Sequence, residues 1–475
     1  MDNAMNTIKN IALSFVAAAV LAGCGGDDGK DGIAGAQGVA GQNGANGTSV
    51  FVTTQDVIKT NAQHAYAVYA DSLIAAKALK EQLAIFVANP SDESFSLAKK
   101  AWLAAREPYG QSEVFRFREG PIDNLTQDAA GNWVLAPEAG PEGAINAWPL
   151  AEALIDYTQD MDGLQNPENP STLPAGGNII ADIDSFPVID KATIQAQFER
   201  GDDEANVTSG YHAIEFLLWG QDLNADGTYT ANRDYSAGYR KASDFYTVGN
   251  QMGQCTSGEA GAANVICIRR SQYLLAAADL LIDDLKSVVD AWTPGTGFHY
   301  QAFIKEETQK QSLAKILEGM GRLSYGELAG ERMSIALRTD SQEDEHSCFS
   351  DNTHRDIFLN AKGIQNTFNG QYVRFDGEVL QGASIYNLLV VAGKPELANK
   401  LRGALEDTMA KAAVIDTTAK LGYSFDVQIQ QPELKGAVTN TIEALKTQTQ
   451  VIKEVIEALG VTTGDLEGDT DEFGG

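Results

Sequence analysis

The chain has 475 residues, of which 35 are Lys or Arg and 65 are Asp or Glu, giving a formal net charge of −30. So acidic a chain argues against binding nucleic acid or gripping anionic lipid by charge, both of which need clustered Lys and Arg; a negative field instead concentrates cations. With 43% hydrophobic and 21% charged residues the composition is that of a folded protein, and the length suits two or three folding units.

Residues 1–23 read as a lipoprotein signal peptide. Lys9 precedes an apolar run, Ile11 to Ala22, too short to span a bilayer. The run closes on Leu21-Ala22-Gly23-Cys24, which resembles the bacterial lipobox, with Cys24 as the lipidated residue; an ordinary secretory signal with an incidental Cys is the alternative. Gly25 resembles a default outer-membrane sorting signal, so the expected address is the outer membrane, facing the periplasm or the cell surface. Residues 24–50 carry Gly at every third position from 26 to 47, the collagen period. No Pro supports the repeat, so a collagen-like flexible stalk is expected rather than a triple helix, which would require a trimer. In an oxidising compartment Cys255 and Cys267, flanking a Gly/Ala loop, are the expected disulfide, leaving Cys348 unpaired.

The body reads as all-α, with two packed helical units at 51–240 and 241–461 and an acidic, disordered tail at 462–475. Apolar residues from Ala62 through Tyr66, Tyr69, Leu73, Ala76 and Leu83 to Phe86 recur at helical spacing, stopped by Asn89-Pro90. Ser91 or Ser94 can cap the next helix, which carries Ala98, Trp102, Ala105 and Tyr109. Pro149 fits the first turn of a helix running to Tyr157. Further helical runs fall at about 192–200, 209–220, 270–292, 299–338, 353–367, 383–392, 396–420 and 434–459, with surface loops at 120–146 and 160–190. The composition break at 222–264 marks the expected boundary between the units.

Three stretches could carry chemistry. In Ser209-Gly210-Tyr211-His212-Ala213-Ile214-Glu215, His212 and Glu215 lie three apart on one helix face, among neighbours apolar nearly all round. A carboxylate there must be paired, coordinated or neutralised, and Glu/His pairing on bundle helices is used by carboxylate-bridged metal sites. A purely structural His–Glu pair is the alternative. The run from Ser341 to Asp356 holds Glu343/His346 and Asp351/His354, again three apart, with Cys348 between them. Its acids and imidazoles could form a cation site, or a solvated acidic loop with Asp351 or Asn352 capping the following helix. In Leu323–Met333, Glu327 falls in phase with the core stripe Leu313, Ile316, Met320 and Leu323, so it must meet a metal or an Arg such as Arg332. Asp222–Gly227 begins like an EF-hand loop, but position 12 is Arg233 where a bidentate Glu is needed, so an Asx-turn loop is expected. There is no HExxH, P-loop, nucleophile elbow or CxxC.

Gly210-Tyr211-His212-Ala213-Ile214-Glu215 resembles the GxHxxE signature of the imelysin family, the insulin-cleaving membrane peptidase group. The stretch Gly140–Leu150, including Asn146, Trp148 and Pro149, resembles the family's iron-regulated protein A branch. So do the Gly326–Met333 run and the Gln342–His354 run. The resemblance covers roughly residues 55–460. It implies two helical-bundle units with a site where they meet, expression linked to iron supply, and a role in iron or haem acquisition at the envelope. The peptidase name implies a metal held by His212 and Glu215.

HxxE supplies two ligands and no general base, whereas a zinc hydrolase needs three ligands, an open water position and a base. The expectation is therefore a lipid-anchored binding protein for a metal ion, iron first, zinc or calcium as alternatives, working with envelope uptake partners. Its candidate ligands are His212, Glu215, Glu327, Glu343, His346, Asp351 and His354, with Trp148, Arg332 and Cys348 lining the ligand pocket. The competing readings are a metallopeptidase with Glu215 as its catalytic group, and a binding module for a non-metal ligand or haem. In the last, Trp102, Tyr109, Trp148 and Trp219 would line the pocket; core packing is their expected role.

Overall fold

The computed structural model describes residues 51–158, 178–222, 236–247, 255, 263–342 and 344–467. The expected signal peptide, Cys24, the expected stalk, most of the EF-like loop, Glu343 and the end of the tail lie outside these residues.

The described chain is built from helices. The long ones are α1 (Thr54–Ala88), α2 (Asp92–Ser112), α3 (Gly210–Trp219), α4 (Ala263–Trp292), α5 (Gln309–Arg322), α6 (Thr353–Asn369), α7 (Pro395–Lys420) and α8 (Lys435–Leu459). A π-helical segment, Leu323–Ile335, continues α5 without a break. Two short antiparallel hairpins are the described strands: β1 (Leu125–Gln127) with β2 (Trp133–Leu135), and β3 (Gln371–Val373) with β4 (Val379–Gln381).

The helix starts follow their local chemistry. Thr53 caps α1, its hydroxyl accepting from the Asp56 N–H while Asp56 accepts from the Thr53 N–H. Ser91 and Ser94 do not compete for the start of α2: Ser91 is the cap and Ser94 reciprocates. Pro149 opens no helix. The Ala151 N–H donates instead to the Ala205 carbonyl, and only the short turn Glu152–Ile155 follows.

Tertiary packing arranges the helices in two groups. α1 and α2 pack on each other, α4 packs on α1 and α3, and α6, α7, α8 and the π-helical segment pack together. α2 lies against α6, which ties the groups into one compact unit over the described residues after 50. α4 shares its core with α1 and α3. The start of the tail is also fastened down: Leu466 is buried against Gly321, where an added Cβ would sit 2.4 Å from the leucine Cδ1. Cys255 and Cys267 form the expected disulfide, with Cα atoms 6.1 Å apart, and Cys348 stays outside it, buried. Among the described residues no helix is long and apolar enough to cross a membrane.

Candidate functional site

The first turn of α3 brings the chemistry into the interior. Gly210 opens the helix at φ +84°, and a Cβ there would lie 2.4 Å from the Ile145 carbonyl oxygen, so only glycine lets α3 approach the short helix Glu142–Asn146. The Trp102 indole N–H of α2 donates to the Tyr211 carbonyl at 2.9 Å and fixes the turn from the other side. Between these supports stand His212, 1% exposed, and Glu215, fully buried.

His212 Nδ1 and Glu215 Oε2 are 2.8 Å apart. The other carboxylate oxygen accepts from the backbone N–H and the hydroxyl of Ser350, at 3.0 and 2.6 Å. Burial pushes the Glu215 carboxyl up to about 8, against the pull of Ser350. Burial, then the neighbouring His346 and Arg106, pushes His212 well below the usual imidazole range. At neutral pH the pair is thus uncharged, a protonated carboxyl beside a neutral imidazole. His212 Nε2 is buried with no hydrogen-bond partner.

A second imidazole stands beside the first, the rings of His212 and His346 having centroids 4.7 Å apart. His346 Nδ1 lies 2.8 Å from Asp356 Oδ2, in the first turn of α6. Arg106 of α2 donates to Asp356 at 3.0 Å and to the Asn146 side-chain carbonyl at 2.6 Å. Asn146 must therefore turn its amide N–H₂ to His346 Nε2, 3.2 Å away, which makes Nε2 an acceptor and leaves the ring proton on Nδ1. Burial, then Arg332, lowers His346 to about 4. Burial would raise Asp356, but Arg106 and His346 hold it well below the usual carboxylate range. Trp148 packs edge to face on His346 at 4.2 Å and stacks under Arg332 at 5.0 Å.

A lattice of ions closes the far side. Arg332 donates to Glu327 at 2.6 and 3.1 Å, to Glu113 at 2.9 Å, and to Asn360. Arg116 reaches Glu327 and Glu142, each at 3.1 Å, and Glu113 at 3.4 Å. Burial opposes ionisation of Glu327, yet Arg116 and Arg332 hold it at about 2. Burial wins at Glu142, which rises to about 7 beside Arg116.

The six expected metal ligands among the described residues are not all brought together, and Glu343 lies outside those residues. His212, Glu215 and His346 meet. Glu327 is on the core face, as its phase requires, but its carboxylate is held by two guanidinium groups. The segment 344–351 is a chain of turns, so a three-residue spacing puts nothing on a common face there. The partner of His346 is Asp356, ten residues on, and His354 donates through Nδ1 to the Asp351 backbone oxygen at 2.9 Å rather than to its carboxylate. Asp351 and His354 line a separate cavity of about 460 Å³, with Glu107, Arg355 and Ser350. Ser350 faces both this cavity and Glu215. Asn352 occupies the cap position of α6 but makes no capping bond through its side chain. Among the described residues, no group of three or more His, Cys, Asp or Glu side chains is placed to hold a metal ion.

Of the expected pocket residues, Trp148 and Arg332 border the imidazole pair, while Cys348 joins the hydrophobic core with Phe349. Trp102, Tyr109 and Trp219 are core residues. Arg106, Glu113, Asn146 and Asp356 were not singled out in the sequence. Their signal was a charged residue inside the buried Trp102–Ala105–Tyr109 stripe for Arg106, and position inside quoted motifs for Asn146 and Asp356.

The fold and centre define an all-α protein with a buried, largely ion-paired heart and two His–carboxylate pairs side by side. The imelysin family model matches residues 65–452, and the chain belongs to the imelysin family. Among solved structures it is similar to a putative iron-regulated protein A precursor from Parabacteroides distasonis, with TM-score 0.57 and 16% identity over 88% of this chain and 97% of that one. An imelysin-like protein from Psychrobacter arcticum gives TM-score 0.49 at 16% identity, over 87% and 98% of the two chains. No curated protein matches.

Proposed function

We propose that this protein is an imelysin-type envelope lipoprotein that binds a metal cation, iron first among candidates, and assists iron or haem acquisition. The observation that carries this reading is the Nε2 atom of His212, buried without a partner on a ring whose Nδ1 is fixed by a carboxylate. Metal-binding histidines are held in this way, the carboxylate setting the tautomer and raising the basicity of the free nitrogen. His346, oriented by Asp356, is a second imidazole beside it, with its Nε2 accepting from the Asn146 amide. Imidazole nitrogen suits iron and zinc, whereas calcium requires six to eight oxygens.

The residues fit a cation in part. The two imidazoles are suited to it, but the acids around them are held by Arg106, Arg116 and Arg332. A cation received here has to bring further ligands of its own, as haem or a small chelate does. His212 would hold such a cation through Nε2, with the ring proton on Nδ1 and Glu215 ionised, so one proton would be released for each cation bound.

Hydrolysis is disfavoured by the same geometry. Glu215 is tied by three contacts and carries a proton at neutral pH, so it is poorly placed to act as a base. The lipobox-like sequence ending at Cys24 supports attachment to the outer membrane.

The test is metal analysis of the full chain purified without chelator, with calorimetric titration of Fe(II), Zn(II) and haem. Binding that is lost in His212→Ala supports the proposal. No binding of any of the three, or binding unchanged in His212→Ala, overturns it.

A further inference from the structure

A second buried centre lies apart from the imidazole pair, around Arg118, which is 2% exposed. Five buried or half-buried arginines elsewhere show how this chain uses the guanidinium edge formed by Nε and Nη2. Arg270 grips Asp156 with it at 2.6 and 2.9 Å, Arg355 grips Glu107 at 2.9 and 2.7 Å, and Arg374 grips Asp71 at 3.2 and 2.7 Å. Arg332 sets the same edge on Glu327, and Arg269 sets it on backbone carbonyls. In Arg118 the remaining nitrogen, Nη1, donates to the Asn61 side-chain carbonyl at 2.9 Å, while Nε and Nη2 are buried with no partner.

The rest of the surroundings repeats the pattern. The guanidinium is packed among aromatic rings, with Cζ 4.5 Å from the Phe115 centroid, 5.4 Å from Phe303 and 5.5 Å from Trp292. Such contacts cover the faces of the ion and leave its edge. Asn61 Nδ2 and the Trp292 indole nitrogen are also buried without partners, and both are donors. Among the described residues Arg118 forms no ion pair with a carboxylate; Asp123 and the buried Tyr69 hydroxyl act on it only at longer range, and Asp123 is itself bonded to Arg116 and the Phe117 N–H. Burial lowers Arg118 only to about 10, so it remains a cation at neutral pH.

We propose that Arg118 anchors an anion site that takes a small monovalent oxyanion of the carboxylate class, held by both N–H groups of the bare Nε/Nη2 edge. A planar carboxylate matches that fork, as it does at Asp156, Glu107 and Asp71 in this same molecule. One negative charge balances the one unpaired cation, which a water molecule would hydrogen-bond but not neutralise. The surplus of donors at Asn61 and Trp292 excludes a cation as the occupant. The site shares no residue with the His212 centre and stands whether or not that centre binds a metal.

An anion bound only by the folded chain raises its stability with the logarithm of concentration. The experiment is urea unfolding of the full chain in sodium formate and in sodium chloride at matched ionic strength. The midpoint is expected to rise with formate and not with chloride, and the formate effect is expected to vanish in Arg118→Met. Asn61→Ala removes the brace on Nη1 and keeps the charge, so it is expected to weaken the apparent formate affinity about tenfold. This second variant decides the matter if Arg118→Met does not fold. Superimposable formate and chloride curves overturn the proposal, as does a formate dependence unchanged in Arg118→Met or in Asn61→Ala.

Discussion

The two halves of the buried centre use the same raw material and reach opposite states. Around Arg332 and Arg116, the carboxylates of Glu113 and Glu327 are held by guanidinium groups, and Glu327 is driven down to about 2. At the other end Glu215, just as deeply buried, is hydrogen-bonded by an imidazole and Ser350 with Arg106 acting only at longer range, and it rises to about 8. Burial penalises both carboxylates; the nearest partner decides which form survives. Guanidinium cannot release its proton, so that half is fixed as a structural lattice. Imidazole can exchange one, so the His212–Glu215 half keeps a movable proton and an unpartnered nitrogen.

The largest effect should come from breaking the lattice. Arg332→Met leaves Glu113 and Glu327 short of a counter-charge, and urea unfolding should show a loss of about 3–5 kcal/mol. A loss below 1 kcal/mol would mean the lattice contributes little and the contrast between the halves fails. Gly210→Ala comes next. Left-handed backbone alone costs about 1–2 kcal/mol, and the clash with the Ile145 carbonyl adds to it, so a loss of about 2 kcal/mol or more is expected. A variant as stable as the parent would remove the reason given for this glycine.

Glu215→Gln tests the proton itself. A carboxyl raised in the folded state stabilises fully below its unfolded value near 4.5 and loses that stabilisation as pH rises through about 8. The other titrating groups are common to both proteins, so between pH 6.5 and 8 the parent should lose stability with rising pH more steeply than the variant. Identical slopes would show that no proton is held there. The same substitution should weaken binding of metal by about 10–100-fold, measured calorimetrically. The smallest change is expected from Ser350→Ala, which removes one of two donors to Glu215 Oε1. The cost should be about 1 kcal/mol in urea unfolding. It should also push the Glu215 carboxyl further up, moving the pH-dependent loss of stability to higher pH.

How much of the centre could be read in advance depended on whether the residues shared a helix. His212 with Glu215, and the core-facing Glu327, follow from helical period, because a regular backbone turns sequence spacing into direction. Over 344–351 turns replace the helix, so spacing there carries no direction: His346 meets Asp356, and His354, at the start of α6, meets a backbone oxygen. The metal reading of Glu327 met Arg332, five residues on, because the segment is π-helical. The loops offered no period, so the β1–β2 hairpin and the helix Glu142–Asn146 within 120–146 went unforeseen.

By itself the sequence determined the helical class, the main helix starts, the Cys255–Cys267 pair and the burial of Glu215 and Glu327, since these depend on local propensity, spacing and the cost of burying charge. Tertiary structure decided which cation meets which carboxylate. Arg106 joins Asp356 across 250 positions and Arg332 joins Glu113 across 219. Such pairings are fixed only when packed helices bring distant side chains into one low-dielectric space, where each buried charge must find its complement.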